Sequence, residues 1–273
     1  MSRKYSVLMS VYKQESPSWL SYAIQSILEQ TVAPDEFVII KDGPLTDDLN
    51  KTINSFREEY PKLFKIIQLR QNQGLGLALK RGIVECRNEY IARIDSDDYA
   101  TPTRIEEQFN VFEHNPELDI VGSNVNEFQD DISNVIAKVV LPQDHSKICK
   151  FSKRRCPFRH PSLLYKKSAV LRAGNYRSYY LCEDYDLYIR MLKTGSLGYN
   201  IQEPLTYMRI NENFYKRRGG LKYLKSIIHF KNEQLKTGYF SPREYIISTA
   251  PHIVVCLLPN KIRDIIYRKM LRK

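Results

Sequence analysis

Residues 89–99 read Glu89-Tyr90-Ile91-Ala92-Arg93-Ile94-Asp95-Ser96-Asp97-Asp98-Tyr99. The apolar part, Tyr90 to Ile94, predicts a short buried strand, and three carboxylates follow it within four residues. Acids crowded at a strand end repel one another unless a cation is present, and Mg²⁺ or Mn²⁺ prefers such oxygen ligands. Because side chains of extended backbone alternate between faces, we expect Asp95 and Asp97 to project the same way and to hold the metal. An acidic turn before a helix would explain the same residues.

The segments before this strand alternate between strand-like and helix-like patterns. Strands are predicted at residues 5–12, 36–41 and 64–69, with a helix after each of them. This order is typical of an open, mostly parallel α/β sheet flanked by helices, in which ligands bind at the carboxyl ends of the strands. Polar residues follow three of the strands, at Ser10-Val11-Tyr12, Asp42-Gly43 and Asp95-Ser96-Asp97. The sequence therefore predicts one polar site at this edge of the sheet.

The residue types at that edge indicate a nucleotide site. A carboxylate at Asp42 can accept the N3–H of uracil, and Tyr12 offers a flat face on which a base can stack. The backbone around Gly74 and Gly76 can approach a ligand closely because neither residue has a side chain. No G-x-G-x-x-G follows the first strand and no G-x-x-x-x-G-K-[ST] occurs, which argues against a dinucleotide oxidoreductase and a P-loop enzyme.

Four motifs occur in the order seen in family 2 glycosyltransferases, which the chain resembles from about Tyr5 to about Arg209. They read Ser6-Val7-Leu8-Met9-Ser10-Val11-Tyr12-Lys13, Val38-Ile39-Ile40-Lys41-Asp42-Gly43, Asn72-Gln73-Gly74-Leu75-Gly76 and Ala92-Arg93-Ile94-Asp95-Ser96-Asp97-Asp98. The resemblance implies a GT-A fold, which is Rossmann-like, and inversion at the anomeric carbon. It implies that Asp42 binds uracil and that Asp97 binds Mn²⁺ or Mg²⁺, while Asp95 would either complete the metal shell or hold a ribose hydroxyl. The full nucleotide-sugar site would comprise Val11, Tyr12, Asp42, Asn72, Gly74, Asp95, Ser96 and Asp97.

We expect three functional segments along the chain. Residues 1–105 would form the nucleotide-sugar-binding half of the GT-A domain, residues 106–210 the acceptor-binding half, and residues 211–273 a basic amphipathic helical tail. In the second half, Glu183 and Asp184 open a predicted helix. Acids in a first turn also complement the helix dipole, which explains most such pairs. By resemblance, Asp184 is the base that deprotonates the acceptor hydroxyl and Glu183 supports it, the exchange of these roles being the main alternative.

Four further residues are predicted to contact the acceptor or a diphosphate: His160, Arg209, Arg217 and Arg218. The family often has a histidine at the place of His160, although a lone histidine is more often structural. Arg217 and Arg218 lie in the basic cluster Tyr215-Lys216-Arg217-Arg218-Gly219-Gly220. Guanidinium groups bind phosphate oxygens in a fork geometry, whereas a solvated loop is the alternative. Similar Arg-Arg-Gly-Gly segments occur in the bacterial O-antigen members that this chain resembles.

The composition adds expectations about partners and location. Lys and Arg number 42 against 31 Asp and Glu, an excess that suggests an anionic partner. The five cysteines form no C-x-x-C pair, which fits reduced cytosolic thiols. We identify neither a signal peptide nor a run of the roughly 20 apolar residues that a membrane span needs.

The tail combines apolar and basic residues. Leu221, Leu224, Ile227, Ile228 and Leu235 predict an amphipathic helix, and the chain ends with Arg263, Arg268, Lys269, Arg272 and Lys273. This tail either packs on the core or binds anionic lipid, and the composition favours the membrane surface.

The sequence as a whole predicts a metal-dependent, inverting glycosyltransferase. It would move a hexose (glucose, galactose or an N-acetylhexosamine) from a UDP-sugar to a polyprenyl-diphosphate-linked saccharide in O-antigen, lipopolysaccharide or capsule biosynthesis. We expect a cytoplasmic protein, peripheral on the inner face of the cell membrane. A nucleotidyltransferase is the first alternative, but such enzymes usually carry a glycine-rich basic loop where this chain has Ser10-Val11-Tyr12-Lys13. A basic nucleic-acid-binding protein is the second, but the excess charge collects in the tail and not at the acidic site.

Overall fold

The computed structural model describes residues 3–211, 217–259 and 262–263. Its strands are β1 (Tyr5–Val11), β2 (Glu36–Lys41), β3 (Phe64–Gln68), β4 (Tyr90–Arg93), β5 (Tyr99–Ala100), β6 (Leu118–Phe128), β7 (Val135–Val139), β8 (Leu164–Lys166) and β9 (Leu197–Arg209). Its helices are α1 (Pro17–Leu28), α2 (Asp47–Glu59), α3 (Leu75–Glu85), α4 (Arg104–His114), α5 (His145–Ser152), α6 (Lys167–Arg172), α7 (Glu183–Lys193), α8 (Gly220–Lys236) and α9 (Pro242–Leu257), with a 3₁₀ turn at His160–Ser162.

In the described part of the chain these strands form one sheet in the order β3-β2-β1-β4-β8-β6-β9-β5, with β7 added beside β6. The first four strands are parallel neighbours, whereas β8 runs antiparallel to both β4 and β6. The predicted open α/β sheet is therefore confirmed, and its parallel part is the first half of the chain. The second half is mixed because short connections, such as residues 129–134 between β6 and β7, join antiparallel strands, whereas parallel strands need a long crossover.

Two apolar cores lie on the two faces of this sheet, and β1 shows how they are divided. Val7, Met9 and Val11 pack with α1, α2 and α4, whereas Leu8 packs on the other side with α3 and α7. A strand covered on both faces must be apolar at consecutive positions, which explains the consecutive apolar residues Val7, Leu8 and Met9 at the centre of β1. The helices fix the carboxyl ends of the strands, where the functional side chains lie.

The start of α4 is anchored beneath the acidic turn by a buried arginine. The Arg104 guanidinium donates to the carbonyl oxygens of Arg93 at 2.8 Å and of Leu163 at 2.9 Å. Burial lowers the pKa of Arg104 to about 9. These bonds offset part of the cost of burying the charge and hold the end of β4 against α4 and β8.

The helical tail is present in the described residues as a hairpin of α8 and α9. Tyr223, Ile227 and Phe230 of α8 pack with Tyr185 and Ile189 of α7. The predicted amphipathic helix is thus α8, and its buried apolar residues pack on α7. None of the helices described here is long and apolar enough to cross a membrane. Tyr215 and Lys216, and the basic residues Arg268, Lys269, Arg272 and Lys273, lie outside the described residues.

Candidate active site

A cleft of about 560 Å³ opens at the carboxyl ends of β1, β2 and β4. The structure brings acids from three distant parts of the chain to it, represented by Asp42, Asp97 and Asp184. Of the sequence-predicted site residues, the cleft is lined by Tyr12, Asp42, Asn72, Gly74, Asp95, Ser96, Asp97, His160, Glu183, Asp184, Arg209, Arg217 and Arg218.

The side chain of Val11 does not line the cleft, and its predicted part in the nucleotide-sugar site stays a prediction. Val11 is fully buried and belongs to the apolar core beneath the sheet. Its carbonyl oxygen accepts a hydrogen bond from the backbone N–H of Asp42 at 2.8 Å. Val11 therefore aligns the ends of β1 and β2, and the next residue, Tyr12, reaches the cleft.

Asp42 organises the loop that precedes α3. Its carboxylate accepts the backbone N–H of Gln73 at 2.7 Å and that of Gly74 at 3.0 Å, and the Asn72 side chain donates to its carbonyl oxygen at 3.2 Å. Gly74 has φ +88°, a left-handed conformation that favours glycine. Each carboxylate oxygen can accept a second hydrogen bond, so Asp42 holds the loop and keeps the capacity to bind a base.

Gly76 is required by packing within the protein. A Cβ atom at this position would lie 2.3 Å from the carbonyl oxygen of Arg177 and 3.1 Å from Cβ of Glu183. The start of α3 therefore touches the segment that leads into α7. We expected a glycine here because a ligand would approach the backbone closely. The structure shows instead that another part of the chain does so.

The acidic segment after β4 is a turn, so the predicted extended geometry is wrong. Ser96 and Asp97 are the turn residues, and the Asp98 N–H donates back to the Asp95 carbonyl oxygen at 3.4 Å. Asp95 pairs with the buried guanidinium of Arg93, and Ser96 Oγ donates to Glu15 at 2.6 Å. Asp95 and Asp97 line the same cleft because the turn directs them there.

The carboxylates around Asp97 form a site of high negative charge density. Burial raises the pKa of Asp97 to about 8, and the charges of Glu15 and Asp95 add to the shift. Burial also raises the pKa of Glu15, with Asp95 contributing. Such oxygens suit a hard divalent cation, which would remove the repulsion. Among the described residues no group of three or more His, Cys, Asp and Glu forms a complete metal cage, so Asp97 and Asp95 fit a cation that shares its coordination with a substrate.

Glu183 and Asp184 stand at the start of α7 and line the same cleft. Burial raises the pKa of Glu183 to about 8, with Asp184 as the next cause and Asp95 contributing. Burial raises the pKa of Asp184 as well, whereas Arg218 and Arg159 act in the opposite direction. Asp184 Oδ1 accepts its neighbour's backbone N–H at 2.7 Å, and Glu183 Oε2 is buried without a hydrogen-bond partner in the described structure. We call Glu15, Asp95, Asp97, Glu183 and Asp184 the acidic wall.

His160 is built into a buried network behind the acidic turn. Its Nε2 lies 3.3 Å from Arg93 Nε and 2.9 Å from the hydroxyl of Tyr176. Burial lowers the pKa of His160 well below its ordinary value, and the Arg93 charge adds to this. The neutral imidazole accepts from Arg93, which in turn pairs with Asp95. The structure thus shows His160 supporting Asp95, and its predicted contact with the acceptor stays a prediction.

Arg209 lines the cleft and is also engaged within the protein, so its predicted contact with the acceptor or a diphosphate stays a prediction. Its guanidinium donates to the carbonyl oxygens of Asp97 at 3.0 Å and Asp130 at 2.7 Å, and lies 4.6 Å from the Trp19 ring and 4.5 Å from the Phe128 ring. The guanidinium group that was expected to bind phosphate thus contacts carbonyl oxygens and aromatic rings of the protein. Arg209 therefore shapes the acidic turn.

Four arginines line the part of the cleft next to the acidic wall, and we call them the basic wall: Arg155, Arg159, Arg217 and Arg218. Burial raises the pKa values of Tyr12 and Asp97, and the positive charge of Arg217 opposes both shifts. Arg217 therefore acts on the nucleotide end of the cleft. The charges of Arg218 and Arg159 oppose the rise in the pKa of Asp184 that burial causes, so these two arginines act on the end of the cleft at α7. Nε of Arg159 is buried without a hydrogen-bond partner within the described ranges. The arrangement provides cationic donors beside both groups of acids.

Sequence reasoning missed Glu15, Trp19, Arg93, Arg155 and Arg159. The cluster Lys153-Arg154-Arg155 followed by Arg159 was a visible signal, since it stands just before His160. Glu15 and Trp19 follow β1 without forming a motif, and their partners Ser96 and Arg209 are far away in the sequence.

The comparisons with known proteins agree with this geometry. The family model Glycosyl transferase family 2 matches residues 6–178. The chain is 40% identical over 272 residues to the UDP-Gal:alpha-D-GlcNAc-diphosphoundecaprenol beta-1,3-galactosyltransferase of Escherichia coli, covering 99% of this chain and 97% of that one. It is 30% identical over 268 residues to the amylovoran biosynthesis glycosyltransferase AmsE of Erwinia amylovora, covering 97% and 98%.

Two solved structures share the fold. The mannosyltransferase PcManGT from Pyrobaculum calidifontis, in complex with GDP-Man and Mn²⁺, has a TM-score of 0.66 at 15% identity and covers 95% of this chain and 71% of its own. S. aureus TarS 1–349 in complex with UDP-GlcNAc has a TM-score of 0.62 at 16% identity, covering 97% and 87%. The predicted GT-A fold is confirmed, and the chain belongs to glycosyl transferase family 2 and is a glycosyltransferase.

Proposed function

We propose that this glycosyltransferase moves a hexose from a UDP-sugar, with inversion, to a saccharide carried on a polyprenyl diphosphate. The observation that carries the proposal is the cleft in which the acidic wall and the basic wall face a common space. The Escherichia coli relative supports the substrate classes, since its name gives UDP-Gal as donor and a diphosphoundecaprenol-linked GlcNAc as acceptor. Galactose is accordingly the first sugar to test.

The donor would lie against residues 1–105. Tyr12 is half-buried at the end of β1 and offers its ring to the base, while Asp42 accepts the N3–H of uracil next to the loop it holds. Asp97 and Asp95 would hold Mn²⁺ or Mg²⁺, which offsets charge on the departing diphosphate. Arg93 fixes Asp95 by an ion pair, and Glu15 fixes the turn through Ser96.

The base would be Asp184. Inversion requires a single displacement, in which the acceptor hydroxyl attacks the anomeric carbon and gives its proton to a carboxylate within hydrogen-bond reach. Asp184 is partly open to the cleft, whereas Glu183 is 5% exposed. A raised pKa makes the Asp184 carboxylate a better proton acceptor near neutral pH. Glu183 then positions Asp184 or accepts a bond from the acceptor sugar.

The acceptor would lie between residues 106–210 and the tail, with its diphosphate on the basic wall. Guanidinium groups bind phosphate oxygens through charge-assisted, often paired hydrogen bonds. Arg218 and Arg159 act electrostatically on Asp184, so a sugar whose diphosphate is bound there has its hydroxyls near the proposed base. The same placement suits a cytoplasmic enzyme of O-antigen or related polysaccharide assembly, peripheral on the inner face of the membrane.

The testing experiment offers a panel of UDP-Gal, UDP-Glc, UDP-GalNAc and UDP-GlcNAc, with GDP-Man as the control donor. The acceptors are synthetic lipid diphosphates bearing GlcNAc or GalNAc, with the corresponding monophosphates as matched controls. We expect transfer from a UDP-sugar to the diphosphate acceptors, dependence on Mn²⁺ or Mg²⁺, and an inverted anomeric configuration by NMR. Transfer from GDP-Man alone, equal use of monophosphates, or a retained configuration would each refute a stated part of the proposal.

A further inference from the structure

The last described helix, α9, has its polar side inward and its apolar side outward. Ser248, Thr249 and Cys256 are buried, each less than 5% exposed. On the opposite side, Ile246 is 63% exposed and Val254 and Leu257 are 59% and 63% exposed. A helix packed on a soluble core normally shows the reverse pattern.

The orientation of α9 is set by specific contacts on its inward polar side. The Lys231 ammonium of α8 is fully buried, donates to the Ser248 carbonyl oxygen and hydrogen-bonds His252 Nδ1 at 3.0 Å. The helix begins at a capping box in which Ser241 and Glu244 satisfy each other's backbone N–H groups. Rotation of α9 about its axis would leave Lys231 without these acceptors, so the outward position of the apolar side is fixed by the fold.

The exposed side forms a continuous apolar strip that we call the α9 face: Ile246, Ile247, Ala250, Val254 and Leu257. Its members recur at spacings of three and four residues, and residues 245–258 contain no Asp, Glu, Lys or Arg. Basic groups stand at both ends of the helix. Lys153 and Arg154 act on Glu244 at its start, and the Arg218 carbonyl oxygen accepts from Cys256 Sγ near its end.

The net charge of the chain identifies what would cover this strip. Residues 211–273 contain 14 Lys and Arg against 4 Asp and Glu, whereas residues 1–210 contain 28 against 27. The segment that includes α9 thus carries ten of the eleven excess positive charges. An apolar strip on a strongly basic segment of the chain is complementary to an anionic lipid surface. A second copy of the chain would bring the same positive charge against it, which opposes self-association.

We propose that the α9 face binds directly to membranes that contain anionic lipid, with Ile246, Val254 and Leu257 inserted between the head groups. Basic residues on either side of the strip would contact lipid phosphates. Arg218 joins this surface to the basic wall, since its backbone contacts Cys256 of α9 and it lines the cleft. Binding in this orientation sets the basic wall beside the head groups. That last consequence rests on the proposed function, whereas lipid binding itself does not.

The experiment measures binding of the full chain to sedimented vesicles of phosphatidylglycerol mixed with phosphatidylcholine, and of phosphatidylcholine alone. The test variant combines Ile246→Asn, Val254→Asn and Leu257→Asn. The matched control combines Val84→Asn, Val140→Asn and Leu171→Asn, which are exposed to 57%, 53% and 44% elsewhere on the molecule. We expect the test variant to bind the anionic vesicles about tenfold or more weakly, because three apolar side chains lose their burial. The control variant should bind like the unmodified chain.

Charge contributes the second part of the expected result. Binding to phosphatidylcholine alone should be weaker than to the anionic mixture, and high salt should reduce the difference by screening. Equal binding of the test variant and the unmodified chain to anionic vesicles would overturn the proposal. So would absence of vesicle binding together with a dimer that the test variant abolishes in sedimentation velocity, since the strip would then be a subunit interface.

The outcome can be separated from that of the proposed function. With a water-soluble, short-chain diphosphate acceptor, the test variant should keep the turnover of the unmodified chain because none of the three substituted residues lines the cleft. With a long-chain acceptor embedded in anionic vesicles, its rate should fall in proportion to the lost binding. Loss of turnover on both acceptors, with vesicle binding retained, would overturn the assignment of this face. Lack of sugar transfer by the unmodified chain would instead refute the proposed function and leave vesicle binding intact.

Discussion

The two walls of the cleft are built on different kinds of structure. The acidic wall comes mainly from the end of β4 and the first turn of α7, two elements that pack into the apolar cores. The basic wall comes from connecting segments, with Arg155 and Arg159 between α5 and β8 and Arg217 and Arg218 before α8. Groups that perform chemistry need fixed positions, whereas groups that recognise one acceptor can lie on segments that vary between relatives. Substitutions in the two walls should therefore have different kinetic signatures.

The largest effect is expected from Asp184→Asn in the acidic wall. Removal of a general base should lower kcat by about 10²–10⁴-fold, because the acceptor hydroxyl must then attack without losing its proton to the enzyme. Affinity for UDP, measured by calorimetry, should be unchanged. Asp144→Asn, at an exposed carboxylate outside the cleft, is the matched control and should turn over normally. Full turnover by Asp184→Asn would transfer the role to Glu183.

The same residue should set the acid limb of the pH–rate profile. The base must be ionised to act, and burial raises its pKa above that of an ordinary aspartate. We therefore expect kcat/KM for the acceptor to fall as the pH drops through a value above the usual carboxyl range of about 4. Arg159→Met removes a positive charge that favours the ionised form, so it should move this limb to higher pH. A limb that stays in place would contradict the electrostatic coupling of the two walls.

The basic wall should act on acceptor binding. Arg159→Met or Arg218→Met should lower kcat/KM for a diphosphate acceptor by about 10–100-fold, the value of a charged hydrogen bond of roughly 1.5–3 kcal/mol. The KM for the UDP-sugar should change little, and a monophosphate acceptor should lose less than a diphosphate. Arg154→Met, at an exposed neighbour outside the cleft lining, serves as the control. An equal loss of kcat/KM for the diphosphate and monophosphate acceptors would contradict the proposal that the basic wall binds the diphosphate.

A smaller effect is expected where the donor loop meets α7. Gly76→Ala places a methyl group 2.3 Å from the Arg177 carbonyl oxygen. Overpacking of this kind costs about 1–3 kcal/mol, which exceeds the roughly 1 kcal/mol that alanine gains over glycine in a helix. We expect the free energy of unfolding to fall, measured in urea. A rise in stability would show that the two segments can separate at no cost.

The smallest effect concerns the hairpin behind the basic wall. Burial lowers the pKa of Lys231 to about 7, so folding favours the neutral amine. The unfolded chain binds this proton more tightly, and the contribution of Lys231 to stability therefore rises between about pH 7 and pH 10. Lys231→Met should raise stability at pH 7 by about 1 kcal/mol, after the loss of two hydrogen bonds is allowed for. Thermal melts should show this advantage shrinking towards pH 10, and an advantage that grows with pH would contradict it.

The parallel half of the fold could be predicted because each strand there contains a short run of apolar residues, such as Val7-Leu8-Met9 in β1 and Ile66-Ile67 in β3, with polar residues close after it. The two-residue strand β5 could not, since a pair of residues has no period. The acidic turn was found for its composition but given extended geometry, because the hydrogen bond from Asp98 to Asp95 that closes it is local and leaves no pattern. The sequence did not show that the Val11 side chain lies in the core, because Val11 is the last residue of β1 and the next residue, Tyr12, already lines the cleft.

The site was predictable where its chemistry is contiguous in sequence. Asp95-Ser96-Asp97 and Glu183-Asp184 each place two acids within three residues, and both groups line the cleft. Arg209 was assigned to the acceptor or a diphosphate, since a guanidinium group suits phosphate oxygens. Its actual partners, the Trp19 ring and the Asp130 carbonyl oxygen, come from remote segments and are visible only in three dimensions.

The position of Arg209 links the two substrates thermodynamically. It ends β9, ahead of the segment that leads to Arg217, and its guanidinium holds the carbonyl oxygen of Asp97. If the binding of one ligand displaces the Arg209 guanidinium, the fit of the acidic turn for the other ligand changes. Reciprocity then requires that each substrate alter the dissociation constant of its partner by the same factor.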